Sequence, residues 1–133
     1  MELQCPFERI LVGGFAACSQ SSRVAEGERL SVACASPVAC TNCRTLVALL
    51  REHARFTLKV TNPDAALPFG KEMKVMLGGL HGLRRLLGQD IADGIESDIH
   101  RVVAVAQGRF GSLAELPFSD IVRDIAAIRP RRS

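Results

Sequence analysis

Cys34-Ala-Ser-Pro-Val-Ala-Cys40-Thr-Asn-Cys43, followed at once by Arg44-Thr-Leu-Val-Ala-Leu-Leu-Arg-Glu-His53, joins the densest cysteine run of the chain to its clearest helical pattern. Leu46, Leu49 and Leu50 share one helical face, and Thr41 or Asn42 supplies a capping side chain, so a helix is predicted from that point. Pro37 offers no backbone donor, which predicts an irregular segment between Cys34 and Cys40. All five cysteines of the 133-residue chain (Cys5, Cys18, Cys34, Cys40 and Cys43) fall within its first 43 residues. The first third therefore reads as a thiolate site and the remainder as its support.

Working outward, Glu28 to Cys34 alternates polar and apolar in the manner of a half-buried strand, and residues 8–16 read as a short strand entering a Gly-Gly turn. The serine-rich residues 19–27 between them read as a loop. Arg55 to Val60 alternates again and predicts a strand, while Asn62-Pro63-Asp64, Pro68 and Gly70 mark a loop. Three further helices follow from apolar spacing: Lys71 to Leu87, about Asp90 to Gln107, and one opened by Ser119 that carries Ile121, Val122, Ile125 and Ile128. The first contains Gly78, Gly79 and Gly82, each unfavourable by about 1 kcal/mol in a helix interior. Their expected purpose is close approach of a neighbour, with a docking surface at Met73 and Met76 as the alternative. The fold class is α+β: a small N-terminal strand-and-loop region carrying the cysteines, packed on three or four C-terminal helices. Residues 1–133 are read as one domain, divided into a site region (1–43), a mainly helical support (44–128) and a basic tail (129–133).

Composition bounds the function. Apolar residues make up 47% of the chain, as in a folded globular protein, and the net charge is only +3, split as −1 over residues 1–43 and +4 over the rest. That is too weak a field to argue for nucleic acid. No apolar run reaches the ~20 residues of a membrane span. Ile10 to Cys18 ends in Ala-Ala-Cys like a bacterial lipoprotein cleavage site, but Glu2 and Glu8 stand where a signal needs positive charge. The expectation is a cytoplasmic, bacterial protein with reduced thiols, since five cysteines cannot complete a disulfide framework.

Clustered reduced thiols point to metal, redox chemistry or plain burial. Structural zinc commonly draws on two short-spaced pairs, and here there is one, Cys40 and Cys43. Iron–sulfur clusters accept wider ligand spacing and, being anionic, are stabilised by backbone N–H groups at a helix start. Arg9, Arg23, Arg29 and Arg44 lie nearby in sequence to offset that charge. The spacing Cys34-x5-Cys40-x2-Cys43, with Ala39 before the second cysteine and Thr41-Asn42 inside the pair, resembles the cluster loop of adrenodoxin-type two-iron ferredoxins. The resemblance covers ten residues and implies iron ligation by Cys34, Cys40 and Cys43. That family takes its fourth cysteine from far downstream, where this chain has none, so the fourth ligand falls to Cys18 or Cys5. The likeness is one of local chemistry.

The expected function is thus a small iron–sulfur protein in electron transfer or redox sensing, of open cluster nuclearity, with a protein redox partner or a larger complex. An enzymatic role is not indicated. Cys18, Cys34, Cys40 and Cys43 are the expected ligands, with Cys5 as alternate. A zinc-stabilised or metal-free accessory module is the alternative, and a thiol oxidoreductase using Cys40-x2-Cys43 is a third reading. His53, His81 and His100 are expected on helix surfaces. For an electron carrier, Ser36, Pro37 and Val38 should be exposed, with Arg44 orienting the partner.

Overall fold

The computed structural model describes residues 3–58, 69–88 and 98–129. In chain order the elements are β1 (Leu3–Gln4), α1 (Glu8–Val12), β2 (Ser21–Glu26), β3 (Arg29–Cys34), α2 (Pro37–Ala54), α3 (Phe69–Leu86), α4 (Ile99–Phe110), a 3-10 turn (Leu113–Glu115) and α5 (Phe118–Ala127). The fold is α+β, as the sequence predicts: a three-stranded antiparallel sheet in the order β1-β3-β2, followed by helices.

Several local expectations are corrected. Residues 8–12 are helical, not a strand. Phe7, Ile10 and Leu11, at helical spacing, are buried while Val12 is exposed, and Gly14 at φ +79° turns the chain away. A three-residue apolar run fits either periodicity, and burial of one helical face decides it. Ser21–Glu26 is a strand where a loop is expected. It pairs with β3 from Ser21↔Cys34 to Glu26↔Arg29, leaving Gly27 and Glu28 as a two-residue turn with Gly27 at φ +63°. Positive φ at that position is what a tight hairpin needs. An edge strand needs only ladder hydrogen bonds and one covered side, so its polar sequence hides it. Arg55 to Leu58 forms turns closing α2, with the Leu58 N–H donating to Ala54 O at 2.9 Å, not the strand expected over 55–60. Residues 59–60 of that strand, the loop over 61–68 and the start of the helix expected from Asp90 lie outside the described residues.

The most consequential correction concerns α2. Pro37 does not keep the cysteine segment irregular: it occupies the first helical turn, where its missing N–H costs nothing and its fixed φ suits the helix. Ser36 is the cap, its Oγ accepting from the Ala39 N–H at 3.1 Å. Cys40 and Cys43 are therefore helical residues one turn apart on the inward face, both buried. Ser36→Ala is expected to cost about 1 kcal/mol, the usual worth of such a cap, read as a lower urea midpoint with unchanged slope.

The core runs from Phe7 and Ile10 through Leu46 and Leu50 of α2 to Leu80 and Leu83 of α3 and Ile121 and Ile125 of α5. Each such side chain contributes about 1.5–3 kcal/mol on burial. α3 packs most extensively on α5. A Cβ on Gly78 would run into the backbone of Ile125, and one on Gly82 would meet Asp124 and Ile121. The glycines thus serve close approach, as expected. Met73 and Met76 are buried in the core, which removes the alternative of a docking surface there.

Candidate functional site

The five cysteines come from four places in the chain that the fold brings to one end of the sheet. Cys34 closes β3 opposite both Leu3 of β1 and Ser21 of β2. Cys5 follows β1 directly, its N–H donating to Val32 O at 2.9 Å. Cys18 precedes β2, and its carbonyl accepts from the N–H and hydroxyl of Ser21. Cys40 and Cys43 bring the first turns of α2 against this end, where Cys40 Sγ donates to Gln4 O at 3.6 Å. Cys34 Sγ donates to Ser36 O at 3.3 Å. All five thiols are free.

Their proximity shows in their ionisation. Burial pushes the Cys43 thiol up to about 12, and thiolate charge at Cys18, Cys5, Cys34 and Cys40 opposes its ionisation further. Burial likewise pushes Cys5 up to about 12; a backbone hydrogen bond from Phe7 pulls the other way, and charges at Cys18, Cys34 and Cys40 add to the rise. Cys18 is raised by burial as well, against backbone N–H groups of Gln20 and His100 that favour its thiolate. Burial and the neighbouring sulfurs thus oppose ionisation at Cys5, Cys18 and Cys43 unless a cation offsets the charge. The Sγ atoms of Cys34 and Cys40 face backbone carbonyls, as thiols do. Among the described residues no three Cys, His, Asp or Glu side chains are placed to close on one metal ion.

Two helix N-termini meet at this end. α2 starts three residues after Cys34, and α4 points its first turn at Cys18. Ile99 N–H donates to Ala17 O at 2.9 Å, and Ser19 N–H donates to Asp98 Oδ1 at 3.0 Å. Although its burial opposes ionisation, bonds from Ser19 hold the Asp98 carboxyl below its usual value. The positive end of α4 thus faces Cys18, with the His100 N–H favouring its thiolate, while the first N–H groups of α2 are taken by Ser36. Asp98, His100 and Gln4 are site residues that the sequence alone did not indicate. An aspartate before an apolar helix is a cap signal, but nothing local says that the helix start folds back onto residues 17–19.

Of the other expectations, Pro37 and Val38 are exposed, Val38 to 72%, while Ser36 is half-buried by its capping bond. Arg44 is exposed but turned back, its Nη2 donating to Cys40 Sγ at 3.6 Å. Arg9 is taken up by Glu72 and Arg23 by Leu11 O. His53 is exposed and stacks on Phe118, while His81 and His100 are half-buried. No described helix is long and apolar enough to cross a membrane. No protein-family model, curated protein or solved structure matches this chain.

Proposed function

We propose that this end of the molecule holds an iron–sulfur cluster, and that the protein carries electrons or senses redox state for a protein partner. The observation that carries the reading is the gathering of five free cysteines, from four separate chain segments, beside the start of α4. Thiols are the donor type the group takes, and since no three of the described side chains are placed to close on one ion, the cysteines must move together to hold it. Thiolates are the usual ligands of such clusters, and the mutual opposition of the five charges is the kind a bound cation relieves. Cys34, Cys40 and Cys43 would supply three ligands and Cys18 or Cys5 the fourth. Holding the group requires the Cys34 and Cys40 thiols to give up their carbonyl partners and their protons. When bound, the group supplies a one-electron couple. The chain's part is to exclude water with Cys40 and Cys43, to present N–H groups, and to leave Pro37 and Val38 at the surface for contact.

The alternatives fare differently. A thiol oxidoreductase needs an exposed, readily ionised attacking thiol. Here Cys40 and Cys43 are both buried and Cys43 is pushed up to about 12, which disfavours that role. A zinc ion would draw on the same thiolates as an iron–sulfur cluster, so elemental content distinguishes the two. Protein purified without oxygen is expected to contain iron and inorganic sulfide in matching amounts and to be coloured. Cys43→Ala is expected to lose both. Zinc alone, or no metal, in wild-type protein supplied with iron and sulfide would overturn the proposal.

A further inference from the structure

A cleft of about 1330 Å³ lies between α1, the start of β3 and the first turns of α3. Small-molecule sites run from about 300 to 1,000 Å³, so the space suffices for an organic ligand. Val12, Phe15 and Leu30 supply apolar wall. Val12 and Leu30 are among the few large apolar side chains left exposed in the described residues, at 36% and 40%. Phe15 is half-buried, its ring so near Gly13 that a Cβ there would meet it at 2.9 Å. The missing side chain at position 13 thus lets the ring stand as a wall.

The charges that line the cleft are unevenly engaged. Glu8 accepts from the Val32 N–H at 2.8 Å and from Gln4 Nε2 at 2.9 Å, and Glu72 is shared by Arg9 and Arg51. Lys74 donates to Ala126 O at 3.3 Å. Arg29, at the start of β3, and Lys71, in the first turn of α3, have no hydrogen bond or ion pair among the described residues. The cleft therefore offers two available cations beside exposed apolar surface, while both of its carboxylates are taken. A cationic ligand would find no free carboxylate, and a neutral one would gain nothing from Arg29 and Lys71. An anion with an apolar body uses both features.

We propose that this cleft binds a free amphiphilic carboxylate, its head at Arg29 and Lys71 and its alkyl chain against Val12, Phe15 and Leu30. Charge-assisted hydrogen bonds hold the head, and burial of the chain removes apolar surface of ligand and protein from water. No cysteine is needed for it, so the site stands or falls apart from the cluster reading.

The test is isothermal titration calorimetry of the full chain with sodium octanoate, kept below its micelle concentration, against octan-1-ol and acetate. One octanoate per chain is expected, with an affinity that weakens as sodium chloride is added. Octanol has the body alone and acetate the head alone, and each is expected to bind about tenfold more weakly or worse. Arg29→Gln and Lys71→Gln are each expected to weaken octanoate about tenfold. Neither side chain holds a contact in the fold, so both variants should keep wild-type helicity. Leu30→Ser should weaken octanoate while leaving acetate unchanged. Absence of octanoate binding, several molecules bound per chain, octanol binding as tightly, or wild-type affinity in both glutamine variants each overturns the proposal. Sedimentation with phosphatidylglycerol vesicles by protein that ignores free octanoate would make this face a membrane contact, and also overturns it.

Discussion

Metal-free protein is expected to lose stability steeply as pH rises from 9 towards 12, by about 1.4 kcal/mol per pH unit for each of Cys5 and Cys43. Burial, with the neighbouring sulfurs adding to it, lifts both thiols from an ordinary value of 9.0 to about 12 in the folded chain. The neutral thiol is thus the form that folding favours. Below pH 9 both states hold the proton and the full stability is present. Above it the unfolded chain releases the proton first, and the deficit grows until the folded thiol also ionises near 12. Urea unfolding of reduced, chelator-treated protein at pH 8, 9.5 and 10.5, followed by helicity, measures the slope. Cys43→Ala should remove about half of it. A stability flat across that range would mean that these thiols ionise freely in the folded state. The same physics sets the sign for metal uptake. If the proposed cluster is held, each cysteine that binds it must shed its proton, against burial at Cys18 and Cys43, so loading should strengthen with rising pH and acidify an unbuffered solution.

How much of this was legible in the sequence depends on the range of the interaction that decides each residue's place. β3, α3 and α5 were visible because apolar periodicity within each segment matches the face it buries, as with Ile121 and Ile125. The confinement of the cysteines to residues 1–43 was visible for the same local reason. The start of α2 is hidden because a proline reads as a breaker unless the residue before it is known to be a cap. The Ser36 Oγ bond to Ala39 N–H makes it the first turn. β2 is not legible because its sequence carries no alternation, its place being fixed by the ladder to β3. What the sequence could not contain was the approach of α4 to Cys18, which depends on a contact between Ala17 and Ile99, eighty-two positions apart. The return of Arg44 to Cys40 was within reach, since residues four apart on a helix are neighbours. It shows only once Cys40 is known to be helical, which the Ser36 cap decides.

Gly78→Ala is expected to destabilise the protein by about 3 kcal/mol, at the upper end of what an overpacked contact costs. The usual effect of this change in a helix is the reverse, a gain of up to about 1 kcal/mol from better helix propensity. Here α3 and α5 meet so closely that the new Cβ would press on Ile125 Cα, with Ile125 N at 2.9 Å and Asp124 O at 3.0 Å. These are backbone atoms inside a helix, and they cannot move aside as a side chain can. α5 must shift as a body, which disturbs Ile121 and Ile125 in the core. Gly108→Ala is the matched control: it lies within α4 with nothing near its Cβ position, so propensity alone should act and stability should rise by up to about 1 kcal/mol. Urea midpoints of both variants at neutral pH provide the measurement, and opposite signs are the expected result. A stabilised Gly78→Ala protein would show that the α3–α5 contact yields, removing the packing reason for the glycines. The site gives a second reading. α3 also packs on α2, with Gly79 facing Leu50, and α2 carries Cys40 and Cys43. On the proposed cluster reading, displacement of α3 should therefore weaken metal retention in Gly78→Ala relative to wild type, with Gly108→Ala unaffected.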